Sequence, residues 1–257
     1  MDSEMILHIV LGMLLLAVPA GALYYFDRKL LGSFGVAVVR MFVQLLLLCL
    51  MVWALVRYDH AWLTLLWLLL ISLVMAFFAV RRIGMRPSRY LLPVAAGLLA
   101  GALAVGGWLL LAVLPVGDWP GARWVVPLTA LLMGHATTAT LRGLSAYQSA
   151  LKADEQQYEF LRGNGASHLQ AVLPFVRRAL QAAVAPMVSC LSAMGLFTMP
   201  LLLCGLLLGG LSPINAFVLT LMLTVGCLAA SVTALAVTLW LADRQLFDKH
   251  GKLKEST

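Results

Sequence analysis

The run Trp62–Val80, WLTLLWLLLISLVMAFFAV, is followed at once by Arg81, Arg82, Arg86 and Arg89, and its reading decides the fold. Its 19 residues carry no charge. An α-helix of about 20 apolar residues crosses the hydrocarbon core of a bilayer. Lipid offers backbone N–H and C=O groups no partner, so a spanning segment must bond internally, as a helix does. The pattern recurs on both sides of this run. Six further spans are expected at Met5–Tyr24, Val36–Val56, Leu91–Leu114, Trp124–Leu141, Leu180–Phe197 and Pro213–Leu241. The last is long enough to tilt or to extend beyond the bilayer. A transmembrane barrel would instead show alternating segments of about 10 residues, and none occurs.

Composition excludes a soluble domain. Hydrophobic residues make up 62% of the 257 and charged residues 11%, against about 25% charged in ordinary soluble domains. The net charge of +7 reflects basic loops rather than a nucleic-acid surface. Loops after the first, third and fifth spans, the tail, and Arg40 near the inner end of the second span together hold 16 of the 18 Lys and Arg residues. Only Arg57 and Arg123 lie on the other side. Because basic loops stay cytoplasmic, the N-terminus is expected outside and the C-terminus inside, with an odd number of spans. The leader Met1-Asp2-Ser3-Glu4 is acidic, whereas a signal peptide carries a basic one, so the first run is expected to remain as a helix. Trp53, Tyr58, Trp62, Trp67, Trp119 and Trp124 mostly fall near outer ends, as an interfacial aromatic belt would.

One polar stretch interrupts this pattern: SAYQSALKADEQQYEFLRGNGASHLQAVLPFVRR, residues 145–178. Ala146–Leu161 reads as a helix with Tyr147, Leu151, Tyr158 and Leu161 on one side and Lys152, Asp154, Glu155 and Glu159 in water. Gly163-Asn164-Gly165 then ends it, since both residue types accept positive φ. Ser167 with Gln170 forms a capping box that starts a short helix, Ser167–Leu173. Pro174 follows, and a basic helix returns to the bilayer. A plain solvated loop is the alternative, but 34 residues is long for an idle connection. The layout suits a docking element that passes motion from a cytosolic partner to the spans.

From Glu159-Phe-Leu-Arg-Gly163-Asn-Gly165-Ala166-Ser167 through Ala171 and Arg177-Arg178-Ala179, the chain resembles FetB/YbbM-type ABC transporter permeases. The resemblance continues through Pro186, Gly195-Leu-Phe-Thr-Met-Pro200, Gly205, Gly209 or Gly210, and Ser212-Pro213-Ile-Asn-Ala216. Gly134-His135-Ala136 stands where the family has Gly-Asn-Ala, and Arg40 with Gln44 matches an R…Q pair. It covers about residues 30–245. It implies a permease subunit of an ABC transporter at the cell (inner) membrane, with iron export in bacterial members and aluminium tolerance in plant ones. Glu159, Leu161, Gly163, Gly165, Ala166, Ser167 and Arg177 would then form the coupling element seated on a separate ATPase subunit. Departures fall at Ser189 and Ser192, where the family carries charged groups, at Thr220 for a glutamine, and at Ser212 for an aspartate. Independently of the resemblance, the sequence has no G-x-x-x-x-G-K-[ST] phosphate loop, so ATP with Mg would be hydrolysed on a partner chain and no cofactor is expected here.

Polar residues inside spans are the candidates for a substrate path. His135, with Thr138 and Met133 nearby, offers an imidazole that binds metal or relays protons; a hydrogen bond to a neighbouring helix is the alternative. Arg40 and Gln44 lie one turn apart on one face, though Arg40 also suits a snorkelling role at the boundary. Ser189 and Ser192 share a face below a kink expected at Pro186, placed either for a polar path or for helix packing. Met187, Met194 and Met199 carry thioethers that prefer soft ions, with lipid-facing or core packing as the plainer reading. Cys49, Cys190, Cys204 and Cys227 form no CxxC and read as buried, unpaired helix residues. The broken apolar stretch Met199–Ser212 is expected to form a short outer hairpin that gates the path.

The expected protein is thus an all-α integral membrane permease of about seven transmembrane helices. Residues 1–257 form one domain, with a cytoplasmic coupling segment at about 145–178. It works as a homodimer with two ATPase subunits to export a metal ion. It is not an enzyme, since the spans hold neither a nucleophile–base pair nor a metal trio. An ATP-independent channel or carrier is the alternative.

Overall fold

The computed structural model describes residues 11–113, 121–195 and 199–246. The chain divides into two compact units, Met1–Tyr58 and Asp59–Thr257. Among the described residues, six helices are long and apolar enough to cross a membrane, and Leu11–Phe26 is a shorter apolar stretch. No β-strand occurs among the described residues. The start of the first expected span, Trp119, and the end of the sixth expected span lie outside the described residues.

The first unit holds α1 (Ala17–Phe26) and α2 (Arg28–Tyr58). The break between them is a single residue. Asp27 takes extended backbone angles, and its Oδ1 accepts from the amides of Lys29 and Leu30 at 3.0 and 3.3 Å. An aspartate so placed satisfies amides that the first turn of a helix leaves unbonded. Helix α2 therefore starts at Arg28, eight residues before the span expected from hydropathy.

The second unit contains α3 (Ala61–Arg82), α4 (Pro87–Trp108, continued by a π-helical turn Leu109–Val113), α5 (Ala122–Ala153), α6 (Glu155–Gly163), α7 (His168–Ala193), α8 (Leu201–Leu208) and α9 (Pro213–Leu246). The Asp59 carboxylate accepts from the Ala122 amide at 2.7 Å, so α3 and α5 begin at the same end of the unit. Their basic C-terminal turns, with Arg81, Arg82 and Lys152, accordingly share the opposite end.

Two boundaries differ from expectation. Helix α5 does not stop near Leu141; it runs unbroken to Ala153 and bends only at Asp154, so the expected helix Ala146–Leu161 is two elements. Pro174 does not end a short helix either. It lies in the second turn of α7, which continues through Pro186 to Ala193. A proline removes one helical hydrogen bond, and neighbouring packing absorbs that loss in many membrane helices. The capping box at Ser167 forms as expected: its hydroxyl accepts from the Gln170 amide, and its own amide donates to Gln170 Oε1 at 2.9 Å. Of the Gly163-Asn164-Gly165 turn, only Gly165 takes positive φ, at +84°.

Helix α9 packs most extensively on α4 and next on α5. A Cβ at Gly97 would lie 2.5 Å from the Ala234 carbonyl and 2.1 Å from Thr238 Oγ1, and one at Gly101 would lie 2.6 Å from the Ala230 carbonyl. Gly97 and Gly101 are one turn apart, as are Ala230, Ala234 and Thr238, so two stripes of small residues meet backbone to backbone. This is the small-x-x-x-small contact by which helices associate in lipid, where no hydrophobic force separates helix from solvent. Gly143 makes a similar three-helix contact, with Ala179 of α7 and Leu235 of α9 against it.

Gly101→Val should push the α4 and α9 backbones apart, an overpacking cost of about 1–3 kcal/mol or more. Size-exclusion profiles after stepwise heating in detergent should show a lowered midpoint, while Gly107→Ala, with open space around it, leaves it unchanged. Equal midpoints for both variants would contradict the close contact.

Candidate functional site

Helices α5, α7 and α9 line, with α8, an open cavity of about 1010 Å³. From α5 come His135, Thr138 and Arg142, at i, i+3 and i+7. From α7 come Met187 and Cys190, with Met194 just beyond its end, and from one face of α9 come Thr220, Thr224 and Cys227. Met199 and leucines of α8 close one side. The hydroxyls of Thr220 and Thr224 donate to the carbonyls of Ala216 and Thr220, both at 2.7 Å, which leaves their oxygens able only to accept within the cavity. No carboxylate lines it among the described residues. No group of three His, Cys, Asp or Glu side chains is placed to hold a metal ion among the described residues.

The sequence candidates divide accordingly. His135 and Thr138 face the cavity. Ser189 and Ser192 do not line it: both are exposed, and their hydroxyls donate to the carbonyls of Ala185 at 3.1 Å and Val188 at 2.9 Å. Each serine thus satisfies itself on its own helix. Arg40 and Gln44 are exposed on α2, in the first unit. The methionines at 187, 194 and 199, for which packing was the plainer expectation, all border the cavity, as do Cys190 and Cys227. All four cysteines are free, but Cys49 and Cys190 are exposed rather than buried. The expected outer hairpin contains α8, and Gly210, at φ +89°, turns the chain into α9.

At the basic end of the unit, the polar stretch is built around a carboxylate that sequence reasoning did not single out. Asp243, in the last turns of α9, accepts from the Tyr147 hydroxyl of α5 at 2.9 Å through Oδ1. Its Oδ2 meets His168 Nε2, at the start of α7, at 2.7 Å. His168 Nδ1 lies 3.0 Å from the Tyr158 hydroxyl of α6. In the neutral ring, Nε2–H donates to Asp243 and Nδ1 accepts from Tyr158. Four helices therefore converge on one acid. Tyr147 is fully buried and Tyr158 nearly so. Burial raises the Tyr158 phenol above its ordinary value, with Arg162 opposing and Asp243 adding to the rise. The phenol stays protonated and able to donate. A signal was present in the sequence: Asp243 is the sole acid between Pro213 and Leu246.

The outer face of this element is of another kind. Glu159, Gly163, Gly165, Ser167 and Arg177 are exposed, Ala166 is partly so, and Leu161 turns inward onto the core. Arg162 Nη1 donates to the Ala166 carbonyl at 3.2 Å and braces the turn. Arg178 pairs with Asp154 across the α5–α6 bend; both are half-exposed, so the pair contributes at most about 1 kcal/mol. Between these polar groups stand Phe160, 70% exposed, and Leu169, 76% exposed, which join no core cluster among the described residues.

Tyr147→Phe and Asp243→Asn should be strongly non-additive. Thermal midpoints of the two single variants and the double variant should give a coupling of about 0.5–3 kcal/mol, as members of one hydrogen-bond network do. Simple additivity would mean that Asp243 does not join these helices.

Residues 6–247 match the model of the uncharacterised protein family UPF0014. The UPF0014 membrane protein slr1647 of Synechocystis sp. is 25% identical over 195 residues, 76% of this chain and 75% of that protein. The probable iron export permease protein FetB of Escherichia coli is 25% identical over 88% of this chain and 85% of its own length. The protein ALUMINUM SENSITIVE 3 of Arabidopsis thaliana is 26% identical over 51% of this chain and 48% of its own length. No solved structure matches the chain significantly. With the family match over nearly the whole chain and six helices suited to crossing a bilayer, the chain is a multi-pass membrane protein that belongs to the UPF0014 family.

Proposed function

We propose that the chain is the transmembrane permease subunit of an ABC transporter, working as a homodimer and exporting a metal ion with ATP hydrolysed by a separate cytoplasmic subunit. The observation that carries this reading is the element Glu155–Pro174. It is a short helix, a glycine turn and a capped helix start that hold exposed apolar side chains outward and are wired inward to three long helices through Asp243. Phe160 and Leu169, large apolar side chains at high exposure on a polar element, suit a partner surface. The basic loops support a cytoplasmic position for this end. Supporting the metal assignment, one relative is named a probable iron export permease, and His135 faces the central cavity.

In this scheme the ATPase grips α6 and the Gly163–Ser167 turn, with Glu159 and Arg177 at the rim. Closure of two ATP- and Mg-loaded ATPase subunits moves the element. The Tyr158–His168–Asp243–Tyr147 network passes that displacement to α5, α7 and α9, the helices around the cavity, and α8 opens or closes its far side. Such a network has the two features that transmission needs: stiffness and a short path.

Phe160→Asp combined with Leu169→Asp should lower recovery of an ABC ATPase with the tagged permease from native membranes by roughly 10-fold or more, as loss of apolar anchors does. Insertion should stay normal. Gly165→Val should keep the complex and abolish transport-coupled ATPase activity, because valine resists the positive φ required there. Undiminished recovery with the first variant would contradict the docking role. Absence of any ATPase from the wild-type preparation would favour an ATP-independent channel or carrier.

A further inference from the structure

We propose that the cavity holds a site for a soft monovalent d10 cation, of the Cu(I) or Ag(I) class, built from His135, Met187 and Cys227 with Cys190 a turn away. The inference rests on the export reading above and narrows its substrate. The contact at Gly143 fixes the register of three helices, since Ala179 of α7 and Leu235 of α9 both meet it. Helices α5 and α9 run parallel and α7 antiparallel to them. Eight residues from that contact, about 12 Å along each axis, stand His135 on α5, Met187 on α7 and Cys227 on α9. All three line the cavity. An imidazole, a thioether and a thiol are thus presented to the cavity from three helices at similar depth.

The donor chemistry selects the ion. Soft thiolate and thioether ligands favour Cu(I), and imidazole also suits copper. Hard cations instead require several oxygen donors, largely carboxylates, and none lines this cavity among the described residues. Charge balance points the same way. Binding of a +1 ion releases the Cys227 thiol proton to water, so the site gains one positive charge and loses another. The complex adds no net charge to a low-dielectric interior, where an added charge is costly. Arg142, at the basic end of the cavity, opposes entry of a bare multivalent cation. His135 and Cys227 alone fall short of a ligand set, and the methionine thioether completes it.

The test uses the purified full chain in detergent, carrying Cys49→Ser and Cys204→Ser to remove thiols outside the cavity, with Ag(I) as probe. One tight Ag(I) per chain with release of one proton is expected. Met187→Leu, His135→Gln and Cys227→Ala should each weaken binding by roughly 10- to 100-fold, at least the range seen for disturbed metal sites. Fe(II) and Al(III) should not compete. Size-exclusion profiles establish that each variant is folded. Binding unaffected by all three substitutions, or displaced by Fe(II), would overturn the site. Absence of Ag(I) binding in a preparation that still recovers the ATPase would overturn the site and leave the permease reading standing. Ag(I) binding without any ATPase partner would support the site while removing the ATP-driven export on which its biological role rests.

Discussion

The backbone-to-backbone approach of α4 and α9 is the contact on which the rest of the second unit is built. Inside a bilayer, burying a leucine against a neighbour gains little over leaving it in lipid, so association depends on how closely helices can come. Gly97 and Gly101 remove the side chains that would keep α4 away, and Ala230, Ala234 and Thr238 do the same on α9. With that pair fixed, α5 packs against both, and α7 is seated on α5 through Gly143 and Ala179. The cavity lies between α5, α7 and α9, lined by residues from Arg142 to Leu131 of α5.

The other end of the same helices is held by different physics. Tyr147, Tyr158, His168 and Asp243 form a satisfied polar cluster, and such clusters specify one geometry because any misplaced member leaves a buried group unpaired. The hub sits where the long helices meet the polar element, so the element cannot move independently of them. Close packing of small residues and directed hydrogen bonds thus divide the work: the first holds the long helices together, the second ties the Glu155–Pro174 element to them.

Much of this was legible in the sequence because it follows from one-dimensional rules. Apolar runs near 20 residues, the basic clusters that end them, and the Ser167–Gln170 capping box depend on spacing alone. The Gly163-Asn164-Gly165 stop was also readable, though not that Gly165 alone would take positive φ. What escaped depends on partners distant in sequence. Asp243 resembled an ordinary acid at a helix end until Tyr147 and His168 were brought to it from 96 and 75 positions away. The shared face of Ser189 and Ser192 suited either a polar path or helix packing, and spacing alone could not show that the cavity is lined by Met187 and Cys190 instead. Hydropathy counts methionine and cysteine as apolar, so it registers their burial in lipid and not their lone pairs. The continuity of α7 through Pro174 escaped because the proline was read as an end, whereas it removes only one helical hydrogen bond and the helix continues past it.

The account depends most on which side of the membrane the α6 element occupies. Gln157 is exposed on that helix, so a cysteine there, in a chain otherwise free of cysteine, reports its compartment. A membrane-impermeant maleimide should leave Gln157→Cys unlabelled in intact cells and label it fully in inverted vesicles. Labelling of intact cells would place the handle outside, beyond the reach of any ATP-driven partner.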